Sequence, residues 1–86
     1  MQYYLEAAIV EVIERAKRLK TRFPTPPPLH FQALAQRCLD LIDENISDLK
    51  LLHTAPEFQN EANQSTRLKL LKIRIREIDL IENIAV

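Results

Sequence analysis

Apolar side chains recur at helical spacing along almost the whole chain. Between residues 29 and 53, Phe31, Leu34, Ala35, Cys38, Ile42, Ile46, Leu49 and Leu52 are separated mostly by steps of three and four. That is the period of one helical face. At about 100° per residue the apolar arc covers roughly 160°. Such an arc can serve two neighbouring helices, which predicts a central helix over about 28–53. Ahead of it, Met1, Leu5, Ile9, Val12, Ala16, Leu19 and Phe23 form a near-heptad stripe that predicts a first helix over about 2–22. Its acids come early (Glu6, Glu11) and its bases late (Lys17, Arg18, Lys20, Arg22), an order that suits the helix dipole. Pro24 ends it, because the residue before a proline resists the α conformation.

The segment 23–27 reads as a stiff polyproline II connector, with Pro28 in the first helical position of the second helix. A docking motif for a proline-binding partner is the alternative; a bent spacer is preferred. After His53, Thr54-Ala55-Pro56-Glu57 fits a capping box, with Thr54 as N-cap and Glu57 reaching back. A third helix is therefore expected over about 55–84. The polar stretch 59–66, QNEANQST, is either a solvated part of that helix or a loop delaying the last helix until about Thr66. The long helix is preferred because no residue there forces a break.

These elements make an all-α, antiparallel up-down-up bundle of three long helices, one domain over 1–86. Charge supports that order. Asp40, Asp43, Glu44 and Asp48 crowd the second half of helix 2, and Arg67, Lys69, Lys72, Arg74 and Arg76 crowd helix 3. An antiparallel hairpin sets the two blocks side by side and leaves Glu77, Asp79 and Glu82 near the basic end of helix 1. Exposed pairs contribute only about 0–1 kcal/mol each, so they select an arrangement more than they stabilise it.

One apolar stripe per outer helix would suffice, yet helix 3 carries two. Leu68, Leu71, Ile75 and Ile78 form one, taken as the core face. Leu70, Ile73, Leu80 and Ile84 form another about 150° away. Helix 1 has a smaller second patch of Tyr3, Ala7 and Val10. Left bare, such patches are of the kind monomers avoid. Either a homo-oligomer, most simply a two-fold dimer, buries the second stripe, or another protein docks there, or the bundle curls to hide both stripes. Self-association is the preferred explanation. Leu70, Ile73, Leu80, Ile84, Tyr3 and Val10 are the candidate interface residues.

Composition narrows the classes. Leu, Ile and Val supply 25 of 86 residues, enough for a packed core and too many for a disordered chain. Twelve bases balance twelve acids, so no overall field steers the chain to nucleic acid or membrane. The absence of glycine works against phosphate-cradling loops and β-hairpins. Cys38 is the only cysteine, which excludes an internal disulfide and suits a reducing cytoplasm. The N-terminal segment carries Glu6, Glu11 and Glu14 and reads as neither signal peptide nor membrane span. The chain is either a small stand-alone protein or the N-terminal domain of a larger one.

Two segments echo one another: residues 39–46, LDLIDENI, and 78–84, IDLIENI. Each has carboxylates at i and i+3, adjacent on a helix, and two such pairs can hold a divalent cation. The pattern is loosely similar to the all-α nucleotide pyrophosphohydrolases, whose helices carry acidic i, i+3 pairs for magnesium. The resemblance covers about fifteen residues and lacks that family's full acidic motif; it implies a metal-dependent hydrolase as a distant alternative. Asp40 falls on the polar side of its helix, so solvated carboxylates are preferred and no metal site or cofactor is assigned. His30, His53 and Cys38 match no zinc spacing. Lys69, Lys72 and Arg76 share a helical face and are the candidate nucleic-acid contacts, although no aromatic residue is interleaved with them for base stacking. The expected function is a non-catalytic interaction or oligomerisation module, an adaptor or regulator acting through helix 3. A nucleic-acid-associated regulator is the alternative.

Overall fold

The computed structural model describes residues 2–23 and 26–85, with the side chains of Gln2, Tyr3 and Glu61 outside the description. Three helices, α1 (Gln2–Thr21), α2 (Gln32–Thr54) and α3 (Gln64–Ala85), pack into a rod with extents of 48 × 18 × 16 Å. No strand occurs among the described residues. Pairs between helices define the topology. Glu6 meets His53 and Lys20 meets Asp43, so α1 and α2 are antiparallel. Arg67 meets Leu52 and Arg74 meets Asp48, so α2 and α3 are antiparallel. Arg15 meets Glu82 and Glu6 meets Arg67, so α1 and α3 run parallel. This is the expected all-α, up-down-up bundle, with α2 against both neighbours.

The core follows the stripes of α1 and α2 closely. Ile9, Val12, Ala16, Leu19 and Phe23 are buried, joined by Ile13; Met1 lies outside the described residues. From α2, Ala35, Cys38, Ile42, Leu49 and Leu52 are buried, and Ile46 and Phe31 pack on their edge. Leu34, expected inside, is exposed.

The connections differ from expectation. α1 stops at Thr21 and closes with a tightened turn, the Arg22 and Phe23 amides donating to Leu19 and Lys20 carbonyls. Pro24 lies outside the described residues. Pro28 is not the first helical residue. It is extended, at φ −55° and ψ 146°, ahead of a 3-10 turn over Leu29–Phe31, within the polyproline II range. The long third helix over 55–84 is also corrected, since α3 begins only at Gln64. Pro56 disfavours the α region for Ala55, which is extended at ψ 133°. Two 3-10 turns, Pro56–Gln59 and Glu61–Asn63, follow. The polar side chains there bond to backbone instead of extending a helix. Gln59 Nε2 donates to the His53 carbonyl at 2.8 Å, Asn63 Nδ2 to the Glu57 carbonyl at 2.5 Å, and Asn60 Oδ1 accepts from the Ala62 amide at 3.0 Å. The capping box does not form. Thr54 is the last residue of α2, and its hydroxyl donates back to the Lys50 carbonyl.

The largest correction concerns the rotation of α3. Its buried face is Arg67, Leu71, Ile78 and Ile81, with Ile75 at the edge and Leu68 exposed. The inward direction is thus turned by roughly 50° from the one that Leu68, Leu71, Ile75 and Ile78 define. The cause is Arg67, which is 1% exposed. Its Nε donates to the Leu52 carbonyl at 3.1 Å, and a terminal nitrogen donates to Glu6 Oε1 at 2.5 Å. The other Glu6 oxygen lies 2.6 Å from His53 Nδ1. That nitrogen meets no partner with good hydrogen-bond geometry. All three helices converge on this one guanidinium.

A second polar level is built around buried Asn45. Its Nδ2 donates to the Leu41 carbonyl at 2.7 Å and to Glu77 Oε1 at 3.2 Å, and its Oδ1 accepts from Arg74 at 3.1 Å. Because removal of Glu6 strands the buried Arg67 charge, Glu6→Ala should lower unfolding stability by about 3 kcal/mol. Arg67→Ala should also destabilise, through the cavity it leaves, since the remaining Glu6 is partly exposed. The apolar double substitution Glu6→Leu/Arg67→Met should recover most of that loss. Urea midpoints of the four proteins, with equal slopes, check this; additive losses in the double variant would contradict it.

Candidate functional site

The rotation of α3 decides where its second stripe ends up. Leu70, Ile73, Leu80 and Ile84 are 36%, 47%, 64% and 40% exposed. They follow one another at steps of three, seven and four, along about 21 Å of helix. Glu77 sits in the middle of the row but is turned towards α2, where it accepts from Asn45 and pairs with Arg74 at 3.4 Å. The bundle therefore does not curl around the stripe; the stripe lies open along the α2–α3 boundary.

Its two borders carry opposite charge. On the side away from α2 lie Lys69, Lys72 and Arg76, all exposed and in no salt bridge among the described residues. On the α2 side, beyond Arg74, lie Asp48 and Glu44. A shallow depression of about 420 Å³ there is lined by Asp43, Glu44, Ser47 and Asp48. Leu41 of α2 is half-buried. The Asn45–Glu77 and Asp48–Arg74 pairs set a register that puts it level with Leu80 and Ile81.

The candidate residue Val10 on α1 is not part of this surface. Val10 is exposed but lies about 140° around α1 from Arg15, the residue that faces α3. The Tyr3 side chain lies outside the described residues.

The expected pairing of the acidic block of α2 with the basic block of α3 is realised by Arg74 and Asp48 alone among the described residues. Arg67 pairs with α1, and Asp43 takes Lys20 of α1 at 2.8 Å. The expectation for the acids of α3 is met by Asp79 and Glu82, which share Arg15, whereas Glu77 turns to α2. The Glu82 hydrogen bond, then that of Asp79, raises the Arg15 pKa further above its ordinary value. The Arg15 hydrogen bond likewise lowers the Glu82 carboxyl below the usual range.

That placement also answers the echo of acidic pairs. The α2–α3 register brings Asp40 and Asp43 level with Asp79 and Glu82. The side chains nevertheless diverge: Asp40 accepts from Gln36 on the solvent side, and Asp79 and Glu82 hold Arg15. No cluster of three or more potential metal ligands occurs among the described residues. His30 is exposed in the 3-10 turn before α2, and His53 is at the far end of that helix. Cys38 is buried, and desolvation raises its thiol pKa.

Two structural features escaped the pattern of apolar residues. Arg67 shares a helical face with Leu71, Ile78 and Ile81, and Asn45 falls between Ile42 and Leu49 at steps of three and four. A polar residue in register with an apolar stripe was the available signal in both cases.

No helix among the described residues is long and apolar enough to cross a membrane. Comparisons with protein-family models, curated proteins and solved structures give no match to this chain.

Two measurements test this geometry. Cys38 should resist maleimide alkylation in the native state and react at the free-thiol rate once unfolded in urea; fast native labelling would contradict its burial. Glu82→Gln should cost about 1 kcal/mol at neutral pH. A depressed folded-state pKa means that the unfolded chain binds more protons in acid. The stabilising effect is therefore full above the ordinary glutamate range and is lost as pH falls through the folded value. The wild-type and variant urea midpoints should accordingly converge in acid; a constant gap down to pH 2 would contradict the assignment.

Proposed function

We propose that this chain is a non-catalytic protein–protein interaction module that uses the outer face of α3. The observation that carries the proposal is the open row Leu70, Ile73, Leu80 and Ile84. Burying one such side chain fully is worth about 1.5–3 kcal/mol, so covering the row supplies a real driving force for association. The two bordering charge sets add orientation and selectivity more than affinity. No group of three or more potential metal ligands occurs among the described residues. The free Cys38 thiol suits a reducing compartment such as the cytoplasm.

The second reading, a nucleic-acid-associated regulator, is favoured by Lys69, Lys72 and Arg76, which are exposed and lie on one face. Against it, three cations neutralise few phosphates, and an apolar row beside them suits a protein surface better. Anisotropy of labelled duplex DNA and RNA at 50 mM salt separates the two. No salt-dependent binding is expected.

Because Ile73 is half exposed, Ile73→Asp should leave unfolding stability within about 0.5 kcal/mol of wild type. The same change should abolish association, whether with itself by light scattering or with a protein retained on the immobilised chain. Association that survives Ile73→Asp, or its absence in the wild type in both assays, would refute the proposal.

A further inference from the structure

We infer that the occupant of the α3 face is a second copy of this chain, seated with the two α3 helices parallel about a two-fold axis that runs along the stripe. The inference rests on the interaction-module reading and goes further by naming the partner and its orientation. Three observations carry it.

The first is spacing. Leu70, Ile73, Glu77, Leu80 and Ile84 recur at three, four, three and four, the a/d pattern of a heptad seam. In a parallel two-fold pair each of these meets its own counterpart. The one charged member is neutralised within its own subunit, since Glu77 pairs with Arg74 and accepts from Asn45.

The second is charge. One border of the stripe carries the unpaired bases Lys69, Lys72 and Arg76; the other carries Glu44, like them in no salt bridge among the described residues, and Asp48, already paired with Arg74. A two-fold axis along the stripe exchanges left and right, so each basic border faces the acidic border of the other copy. The α2–α3 register puts Arg76 at a level between Glu44 and Asp48, and Lys72 beside Asp48. An axis across the stripe would make the helices antiparallel and leave each border facing its own kind, with Arg76 near the second Arg76. Like charges so placed are penalised, so the surface is self-complementary in one orientation only. At the far end Arg37 lies level with the end of α3, where the opposing border offers uncharged Asn83, so no clash arises there.

The third is size. α3 is about 33 Å long, and the rod is 18 Å wide. The footprint is then about 600 Å² per subunit, at the lower end of the size range of specific interfaces. A dimer that dissociates in the micromolar range is expected.

Sedimentation equilibrium from micromolar to millimolar chain tests this with wild type, Ile73→Asp, Arg76→Glu, Glu44→Lys and the double charge swap. The wild type should dimerise. Ile73→Asp should remain monomeric. Each single reversal should weaken the dimer about tenfold. The double swap should restore it, because each copy then sets an acid at position 76 against a base at position 44 of the other. A Leu80→Cys variant should form an intermolecular disulfide in air, since the parallel seam brings residue 80 against its counterpart.

A wild type that stays monomeric overturns the second-copy inference alone; the interaction-module reading survives if an Ile73-dependent protein partner is found. A dimer lost in Ile73→Asp but not rescued by the charge swap, or lacking the residue-80 cross-link, overturns the parallel arrangement. A dimer indifferent to Ile73→Asp overturns both readings.

Discussion

The buried guanidinium of Arg67 is the constraint on which the rest of the arrangement depends. A charge enclosed in a bundle must be neutralised and its donors satisfied. Here the partners come from each neighbouring helix: the Glu6 carboxylate of α1 and the Leu52 carbonyl of α2. These partners fix the rotation of α3 about its own axis. With Arg67 inside, Ile81 is drawn into the core and Leu68 is left out. The same rotation carries Leu70, Ile73, Leu80 and Ile84 to the α2 boundary, beside Asp48 and Glu44. One buried ion pair thus sets both the packing of the core and the composition of the outer face.

Such a pair is weak as a source of stability, because desolvation offsets most of its Coulombic gain. Its effect is on specificity. A bundle of three amphipathic helices can slide or rotate while keeping apolar contact, and uniform apolar cores leave that freedom open. Two polar levels remove it here. Arg67 with Glu6 and Leu52 locks one end, and Asn45 with Glu77 and Arg74 locks the middle. Any slip of α3 by a turn would strand several buried polar groups at once.

Charge on this chain is balanced in number but sorted in space. Arg15, Lys20, Arg67 and Arg74 bind acids on other helices and hold the bundle together. Lys69, Lys72 and Arg76 on one border, and Glu44 on the other, are left outside these pairings. Net neutrality therefore coexists with three bases, unpaired among the described residues, along one side of the apolar row.

Three helices, their order, the stripes of α1 and α2 and the surplus of apolar residues on α3 were all legible in the sequence, because periodicity is a local property of the chain. The Pro56 break and the side-chain bonds of Gln59, Asn60 and Asn63 were underread, since those amides stop a helix only when suitable backbone groups lie within reach. Tertiary structure alone decided which stripe of α3 turns inward, which charges pair and that Val10 does not join the α3 face. Arg67 shows why: its partners lie 15 and 61 residues away in the chain, and no local pattern reports whether such distant groups will meet.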